Sequence, residues 1–430
     1  MLERAVVEYE NLSETFAEQP SDYSRQYCSI YLSRLKAMEE FLKERVKEKW
    51  GDKYPICKLY KLVEENYDEC IVIGTIFKNQ KCKPSILKQL AEASQLEMQP
   101  VFSRPDETDQ LFVEDELQRY LLLGNIDGKT LVTGITCALL GKDIGKGKFQ
   151  VKECLFADYR PQIEHPVFSD DLYVVFASGL EFVNSHKFLP NLEMFIFWLS
   201  GMLGCDDTVS KIARVILAGN SIRCKAEEHF SSISLTARVP ESQETIEAVA
   251  RFDSFLKQVC QLVAVDVMPG KHDPSNHILP QKQMHFCMFP KSKVYKSFTP
   301  VTNPYSFSLD KLRILGTSGQ PIDQILHYSD VADPLDAMEK CLQWNHIAPT
   351  APDTLGCFPY YDRDPFIIND CPHVFFTGNQ QQFDTRMVTG EKGQQVTLIA
   401  IPEFSSTFEV AVLNLKDMSC RPMSFKIHAS

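Results

Sequence analysis

No Cys-x-x-Cys pair occurs anywhere in these 430 residues, although fourteen cysteines are present. They are scattered singly, and the closest two, Cys70 and Cys82, stand twelve apart. Zinc and iron–sulfur centres usually draw their thiolates from clustered pairs, so neither is signalled. Basic excess is lacking too: 45 Lys and Arg face 57 Asp and Glu, a net charge of −12. A free-standing nucleic-acid binder takes most of its affinity from phosphate contacts. An acidic chain therefore argues against DNA binding as the main activity, without excluding a local basic groove. No run approaches the ~18 apolar residues of a membrane span, and the N-terminal MLERAVVEYE has no apolar signal core. The longest apolar stretch, Leu192–Leu203, contains Glu193 and Ser200 and reads as a buried helix. HExxH, GxSxG, a GxGxxG after a strand and an EF-hand loop are all missing. A soluble protein with reduced thiols, cytosolic or nuclear and without a membrane role, is expected.

What is present suits two or three domains with sizeable cores: 44% apolar and 11% aromatic residues. Residues 22–50 read as a helix, because Tyr27, Tyr31, Leu35, Met38, Leu42 and Val46 recur at three- and four-residue spacing and Gly51 follows as a stop. That stripe is expected to pack on the chain's own body. From 55 to 160 the texture changes to short strands: Cys70–Phe77, Leu111–Leu117, Leu131–Leu139 and Phe149–Phe156, with one helical stretch at Pro84–Glu92. Short strands with glycine kinks suit a small, partly open barrel such as an OB-fold. Gly141–Lys148 (GKDIGKGK) holds three lysines but not the spacing of a Walker loop, and reads as a hairpin turn. Tyr159–Asp171 reads as a linker. Beyond it strands alternate with helical segments at 188–203, 242–260 and 333–345, which implies a layered α/β domain. Residues 221–241 are polar and Ser-rich and are expected to form a loop. The division expected is 1–50 (helical), 51–160 (barrel) and 161–430 (α/β).

Four apolar runs in the last part end in turns: Tyr173–Gly179, Val215–Asn220, Val265–Asp273 and His373–Gln380. They read as buried parallel strands, and ligand sites in such sheets sit beyond the strands' carboxyl ends. A dinuclear phosphoesterase would carry carboxylates and imidazoles there, holding two cations ~3.5–4 Å apart. These turns carry Ser178, Leu180, Asn220, Lys271 and Asn379 instead. Serine, leucine and amides are poor ligands, and a lysine would repel metals. Only His272 and Asp273 are of ligand type, and such a pair more often orients a loop. His165, His186, His285, His346 and His373 lie apart in sequence. No catalytic residue, cofactor or metal site is expected.

Eight stretches then stand out: VEDELQR (113–119), LVTG (131–134), RVILAGN (214–220), VDVMPGKHDP (265–274), VTNPY (301–305), LGTSGQ (315–320), TAPDTLGC (350–357) and DPFI (364–367). In order and spacing they resemble the B-subunit family, the second subunits of replicative DNA polymerases. The resemblance runs from about residue 55 to 428. It implies an α/β plus β protein: an N-terminal helix, an OB-fold barrel and an inactive calcineurin-like phosphodiesterase α/β domain. It also implies a non-catalytic, nuclear, hetero-oligomeric subunit in replication and repair. Such a subunit would clamp the cysteine-rich C-terminal region of the catalytic polymerase subunit. It would also carry a third accessory subunit, and through it reach the sliding clamp and DNA. His272 departs from relatives that can lack a ligand-type residue there.

Two other function classes compete. An active metallophosphoesterase would need ligands at the strand ends beyond His272 and Asp273. A single-stranded DNA binder working through the OB-fold would need a basic groove with interleaved aromatics. A last expectation concerns residues 350–367, which contain Pro352, Pro359 and Pro365 and follow Pro349. Prolines fix φ and remove amide donors, so this segment should be a rigid surface loop without regular structure. Its aromatics Phe358, Tyr360 and Tyr361 are candidate partner-binding residues, with at most one of the two adjacent tyrosines in the core.

Overall fold

The computed structural model describes residues 4–17, 26–65, 67–80, 109–182, 189–204, 207–223 and 243–427. The helix expected at Pro84–Glu92, Cys82, His186 and the Ser-rich segment from 224 onward lie outside the described residues. Among the described residues three six-stranded sheets carry the fold. The first is built from β2 (Ile56–Cys57), β3 (Cys70–Asn79), β4 (Gln110–Glu114), β5 (Arg119–Gly124), β6 (Thr136–Asp143) and β7 (Lys148–Leu155). Its order is β2-β3-β4-β5-β7-β6, and a β3–β6 pairing closes it into a barrel. β6 and β7 form an antiparallel hairpin over GKDIGKGK, as its turn residues suggested. The strand expected at Leu131–Leu139 starts only at Thr136. Leu131 and Val132 are buried in the approach to it, so apolarity there reflects burial rather than pairing.

Helix α1 (Cys28–Trp50) lies on this barrel. Its stripe of Leu35, Met38, Leu42 and Val46 packs on Ile71, Ile73, Ala138, Leu140 and Leu155, and Gly51 ends it at φ 60°. The first fifty residues are not helical throughout. A strand, β1 (Tyr9–Asn11), pairs antiparallel with β12 (Tyr305–Leu309) of the α/β body. Arg4 is tied to the same body by bonds to the carbonyls of Leu199, Val209 and Leu262.

The second sheet contains β8 (Tyr173–Ala177), β9 (Ile212–Ala218), β10 (Ala264–Met268), β11 (Phe298–Pro300), β17 (Glu409–Asn414) and β18 (Cys420–Ser424). β8, β9, β10 and β11 run parallel. The third contains β1, β12 (Tyr305–Leu309), β13 (Leu312–Thr317), β14 (Val374–Gln380), β15 (Asp384–Thr389) and β16 (Gln395–Pro402). The four apolar runs read from the sequence are therefore split, three in one sheet and the fourth, β14, in the other. These two sheets meet face to face. Val174, Phe176, Ile216, Met268, Phe307, Ile314, Phe376 and Ile399 fill the space between them.

Helices cover the outer faces. α2 (Leu189–Leu199) and α3 (Gln243–Cys260) bring Leu192, Phe195, Phe252 and Phe255 onto Val175, Val215 and Val265 of the second sheet. α4 (Gln320–Tyr328) and α5 (Pro334–Trp344) bring Ile322, Ile325, Met338 and Leu342 onto Phe375, Leu398 and Ala400 of the third. The barrel shares that last core through Val72, Ile76 and Val113. Because each central strand is buried on both faces, it reads as a continuous apolar run. No described helix is long and apolar enough to cross a membrane.

Candidate functional site

The carboxyl ends of β8, β9, β10 and β14 converge, as the sequence suggested, and each end is closed by its own hydrogen bonds. Ser178 is 1% exposed. Its hydroxyl lies within reach of the Pro402 and Ile401 carbonyls at 3.1 and 3.3 Å and accepts the Asn379 amide at 2.8 Å. The Asn379 side chain donates to the carbonyls of Ser318 at 2.7 Å and Ala218 at 3.3 Å, bridging the two sheets. Gly378 lies so close to β9 that a Cβ there would stand 2.4 Å from the Ala218 carbonyl. Leu180 turns into the helix-covered core and adds nothing to this end of the sheet.

Asn220 holds φ 51° and accepts the His272 amide at 3.1 Å through Oδ1. Asp273 is buried, and its two oxygens accept the amides of Ile222 and Gly270, each at 2.7 Å. Burial pushes its carboxyl up to about 6, against the pull of those amides and those of Ser221 and Asn220. Asp273 thus ties the β10 turn to the β9 turn. Lys271 is exposed.

Next to this stands a group of neutral side chains the sequence reading passed over. Asn303 Nδ2 lies 2.8 Å from Gln281 Oε1, 2.8 Å from Ser318 Oγ and 3.0 Å from Gln320 Oε1. Asn303 Oδ1 accepts the Ser318 amide at 3.1 Å, and Gln281 donates to Gly270 at 3.0 Å. Asn303, Ser318 and Gln320 belong to the VTNPY and LGTSGQ runs, whose polar residues between apolar strands were the available signal. A two-cation centre needs bridging carboxylate and imidazole. The strand-end donors are hydroxyls and amides; of the carboxylates, Asp273 is occupied by amides and Asp323 bonds to Gln380 with the Lys271 charge nearby, so this set does not fit one. Among the described residues no group of three or more His, Cys, Asp and Glu is placed to hold a metal ion.

A second polar centre sits where helix, barrel and α/β body meet, and it centres on Arg34, which the helical stripe gave no reason to expect inside. Arg34 is fully buried. Its Nε donates to Asp364 at 2.6 Å, Nη1 to the carbonyls of Gly134 (3.1 Å) and Pro349 (2.9 Å), and Nη2 to Ala351 (2.7 Å). Gly134 holds φ 94°, and a Cβ there would fall 1.9 Å from the Pro349 carbonyl. His346 Nδ1 accepts the Ala348 amide at 3.1 Å, which leaves the ring proton on Nε2, 2.9 Å from Asp364. Burial would raise the Asp364 carboxyl, but Arg34 and His346 hold it well below the ordinary carboxylate range. Three of the eight runs, LVTG, TAPDTLGC and DPFI, converge here.

This centre corrects the reading of residues 350–367. They do lack regular structure, but they form a wedge between the barrel and the α/β body rather than a surface loop. Phe358, Tyr360 and Phe366 are 3%, 1% and 0% exposed, and Phe358 and Tyr360 stack edge to face at 5.0 Å. The aromatics fill the core the barrel shares with α4 and α5, so Phe358 and Tyr360 are not available to a partner. Tyr361 is 43% exposed. The segment 159–171 is likewise strapped down. Gln162 donates to the carbonyls of Pro372 and Gln395, and the rings of His165 and His373 meet at 5.3 Å.

The hub carries a pH signature. Burial, reinforced by Arg34, pushes the His346 imidazole down to about 4, against an ordinary value of 6.5. The unfolded chain therefore takes up this proton first as pH falls. The stabilisation is complete above pH 6.5 and is lost between 6.5 and 4. Relative to a His346→Gln variant, wild-type unfolding free energy should stay level above pH 7 and fall by about 3 kcal/mol by pH 4. Asp266 and Asp273, both pushed up to about 6 by burial, act in the opposite sense but are common to both proteins. A difference curve that is flat from pH 7 to 4 would remove His346 from this role.

Comparison with known proteins adds the family. Residues 26–154 match a family model described as the DNA polymerase delta subunit OB-fold domain, and 174–385 match one described as the B subunit of DNA polymerases alpha and epsilon. The first match begins at α1, in keeping with the packing of that helix on the barrel. The chain is 40% identical to DNA polymerase delta subunit 2 of Drosophila melanogaster over 432 residues, covering 100% of both. It is 39% identical to the DNA polymerase delta small subunit of Oryza sativa subsp. japonica, covering 99% of both. With that of Saccharomyces cerevisiae it shares 30% identity, covering 94% of this chain and 90% of the yeast protein. A barrel with its helix, a two-sheet α/β body and full-length identity at this level together establish that the chain belongs to the family of DNA polymerase delta small subunits.

Proposed function

We propose that the chain is a non-catalytic accessory subunit of DNA polymerase delta, built as an OB-fold barrel (51–160) joined to a calcineurin-like phosphodiesterase domain (161–430) without its catalytic ligands. It joins the C-terminal region of the catalytic subunit to a third accessory subunit, in the nucleus, during replication and repair synthesis. The observation that carries this reading is the state of the strand ends. Ser178, Asn220 and Asn379 bond to backbone, and Asp273 is saturated by amides. Four strand ends closed by neutral side chains and one amide-bound carboxylate offer nothing to bridge a pair of cations.

The test has two arms. Purified protein with Mn²⁺, Mg²⁺ or Zn²⁺ should hydrolyse phosphodiester substrates no faster than blank, and Asn220→Asp should not change that. Metal-dependent turnover abolished by Asp273→Ala would overturn the reading in favour of a metallophosphoesterase. Co-expression with the catalytic and third subunits should yield a ternary complex. Tyr361→Ala should weaken one of the two contacts at least tenfold, about 1.4 kcal/mol, with the thermal midpoint kept within a few degrees. Single-stranded DNA should bind no tighter than about 10⁻⁴–10⁻⁶ M. Nanomolar binding lost on substitution of barrel aromatics would favour a DNA-binding role instead.

A further inference from the structure

Charge is unevenly distributed over this acidic chain. Residues 271–296 hold Lys271, Lys282, Lys291, Lys293 and Lys296, and the one acid among them, Asp273, is buried and bound to amides. The stretch connects β10 to β11. Its second half is firmly built. Phe289 is buried and meets the rings of Phe252 and Phe298 at 5.9 and 5.3 Å. Asp253 of α3, also buried, accepts the amides of Lys291 at 2.9 Å and Ser292 at 3.0 Å, and the Ser292 hydroxyl at 2.7 Å. Tyr295 accepts Gln261 at 2.7 Å, and Lys291 donates to Ser254 at 2.6 Å. Ser254 lies on α3 and Gln261 directly follows its last residue; Lys257, three residues after Ser254 on the helix, is exposed.

The result is a fixed platform on which Lys257, Lys291, Lys293 and Lys296 are exposed together. Among the described residues none of the four is in an ion pair with a carboxylate. Val294 and Phe286 are 71% and 44% exposed on the same stretch. Like charges gathered without counter-charge repel one another, and a chain of net charge −12 has no need of them for solubility. Cations carried on an ordered backbone, with exposed apolar side chains in the same stretch, match a ligand with both carboxylates and apolar side chains. A phosphate backbone offers the charge but nothing for Val294.

We propose that the β10–β11 connection and the adjoining face of α3 form a docking surface for an acidic, apolar-containing segment of a protein partner. The lysines would speed encounter and set register, while Val294 and Phe286 bury apolar surface. The surface is independent of the closed strand ends, so it stands even if the accessory role proposed above fails.

The test uses the full-length chain and a fluorescein-labelled peptide alternating Asp or Glu with Leu and Phe; oligo-dT of thirty nucleotides serves as the second probe. The peptide should bind with an affinity that falls steeply with salt. The triple variant K291E/K293E/K296E should weaken it at least tenfold, and Val294→Ser should weaken it several-fold at unchanged salt slope. Charge reversal at Lys146 and Lys148 of the barrel hairpin should leave binding as in wild type, and all variants should keep the wild-type circular dichroism. Should the triple variant lose its fold, Lys293→Glu with Lys296→Glu, which spares the Lys291 contact to Ser254, is the replacement and should weaken the peptide at least fivefold. Equal peptide binding by wild type and reversal variants would overturn the proposal. So would oligo-dT binding tighter than peptide and lost on the same reversal, which would make the surface a nucleic-acid contact.

Discussion

Replacing Arg34 by alanine should cost about 3–5 kcal/mol, because it strips a buried ion pair of one partner and leaves the other charged and unpaired. Asp364 would then keep only the His346 ring and the Phe366 amide. The carbonyls of Gly134, Pro349 and Ala351 would each lose a charged donor in a dry site. Arg34→Lys should recover little. A lysine is a point charge on a flexible stem, whereas the guanidinium reaches a carboxylate and three carbonyls in one plane. Arg34 joins α1 and the barrel to the α/β body, so the loss should also uncouple them. Urea unfolding should change from one transition to two, with the barrel's amides exchanging ahead of those in the two-sheet core. A loss under 1 kcal/mol with a single retained transition would refute the role of Arg34 as the junction.

Phe376→Ala is expected to be comparably damaging for a different reason. Phe376 is fully buried between the two sheets, 5.0 Å from the ring of Phe176. It pairs across strands with Gly316, and its ring fills the place where a Gly316 side chain would stand: an added Cβ would meet ring carbons at 2.2–2.3 Å. Removing a buried Phe side chain costs about 3–5 kcal/mol. Gly316→Ala should cost about 1–3 kcal/mol by overpacking. Because the two changes compete for one volume, the double variant should be less destabilised than the sum of the singles by at least 0.5 kcal/mol. Strict additivity in chemical denaturation would show that the ring is not held over that glycine.

Much of the architecture was legible because it depends on short-range pattern. The α1 stripe, the apolar β8, β9, β10 and β14 runs and the turn at Gly141–Lys148 each announced their element through periodicity or glycine placement. Ser178, Asn220 and Asn379 were legible as a loss, since the chemistry of their side chains excludes bridging two cations wherever they stand. Phe358 and Tyr360 were misread because aromatics between prolines look alike on a surface loop and in a wedge. Proline forbids regular hydrogen bonding in both, and only the neighbours decide which is buried. Arg34 was invisible because a charged residue on a helix is ordinarily solvated, and its four acceptors come from three distant stretches.

The sequence by itself determined most of the elements, the poor ligand chemistry of Ser178, Asn220 and Asn379 and, through eight ordered runs, the family. These follow from side-chain identity and local spacing, which need no partner to be read. Tertiary structure alone decided that the fourth strand belongs to a different sheet from the other three and that Asp273 ties the β10 turn to the β9 turn. It likewise decided that residues 350–367 face inward onto Arg34 and that the lysines of the β10–β11 connection stand on a fixed platform beside α3. Each depends on contacts between residues tens to hundreds apart. Burial, which sets the energy of every charge and ring involved, is a property of that assembly and not of the residue.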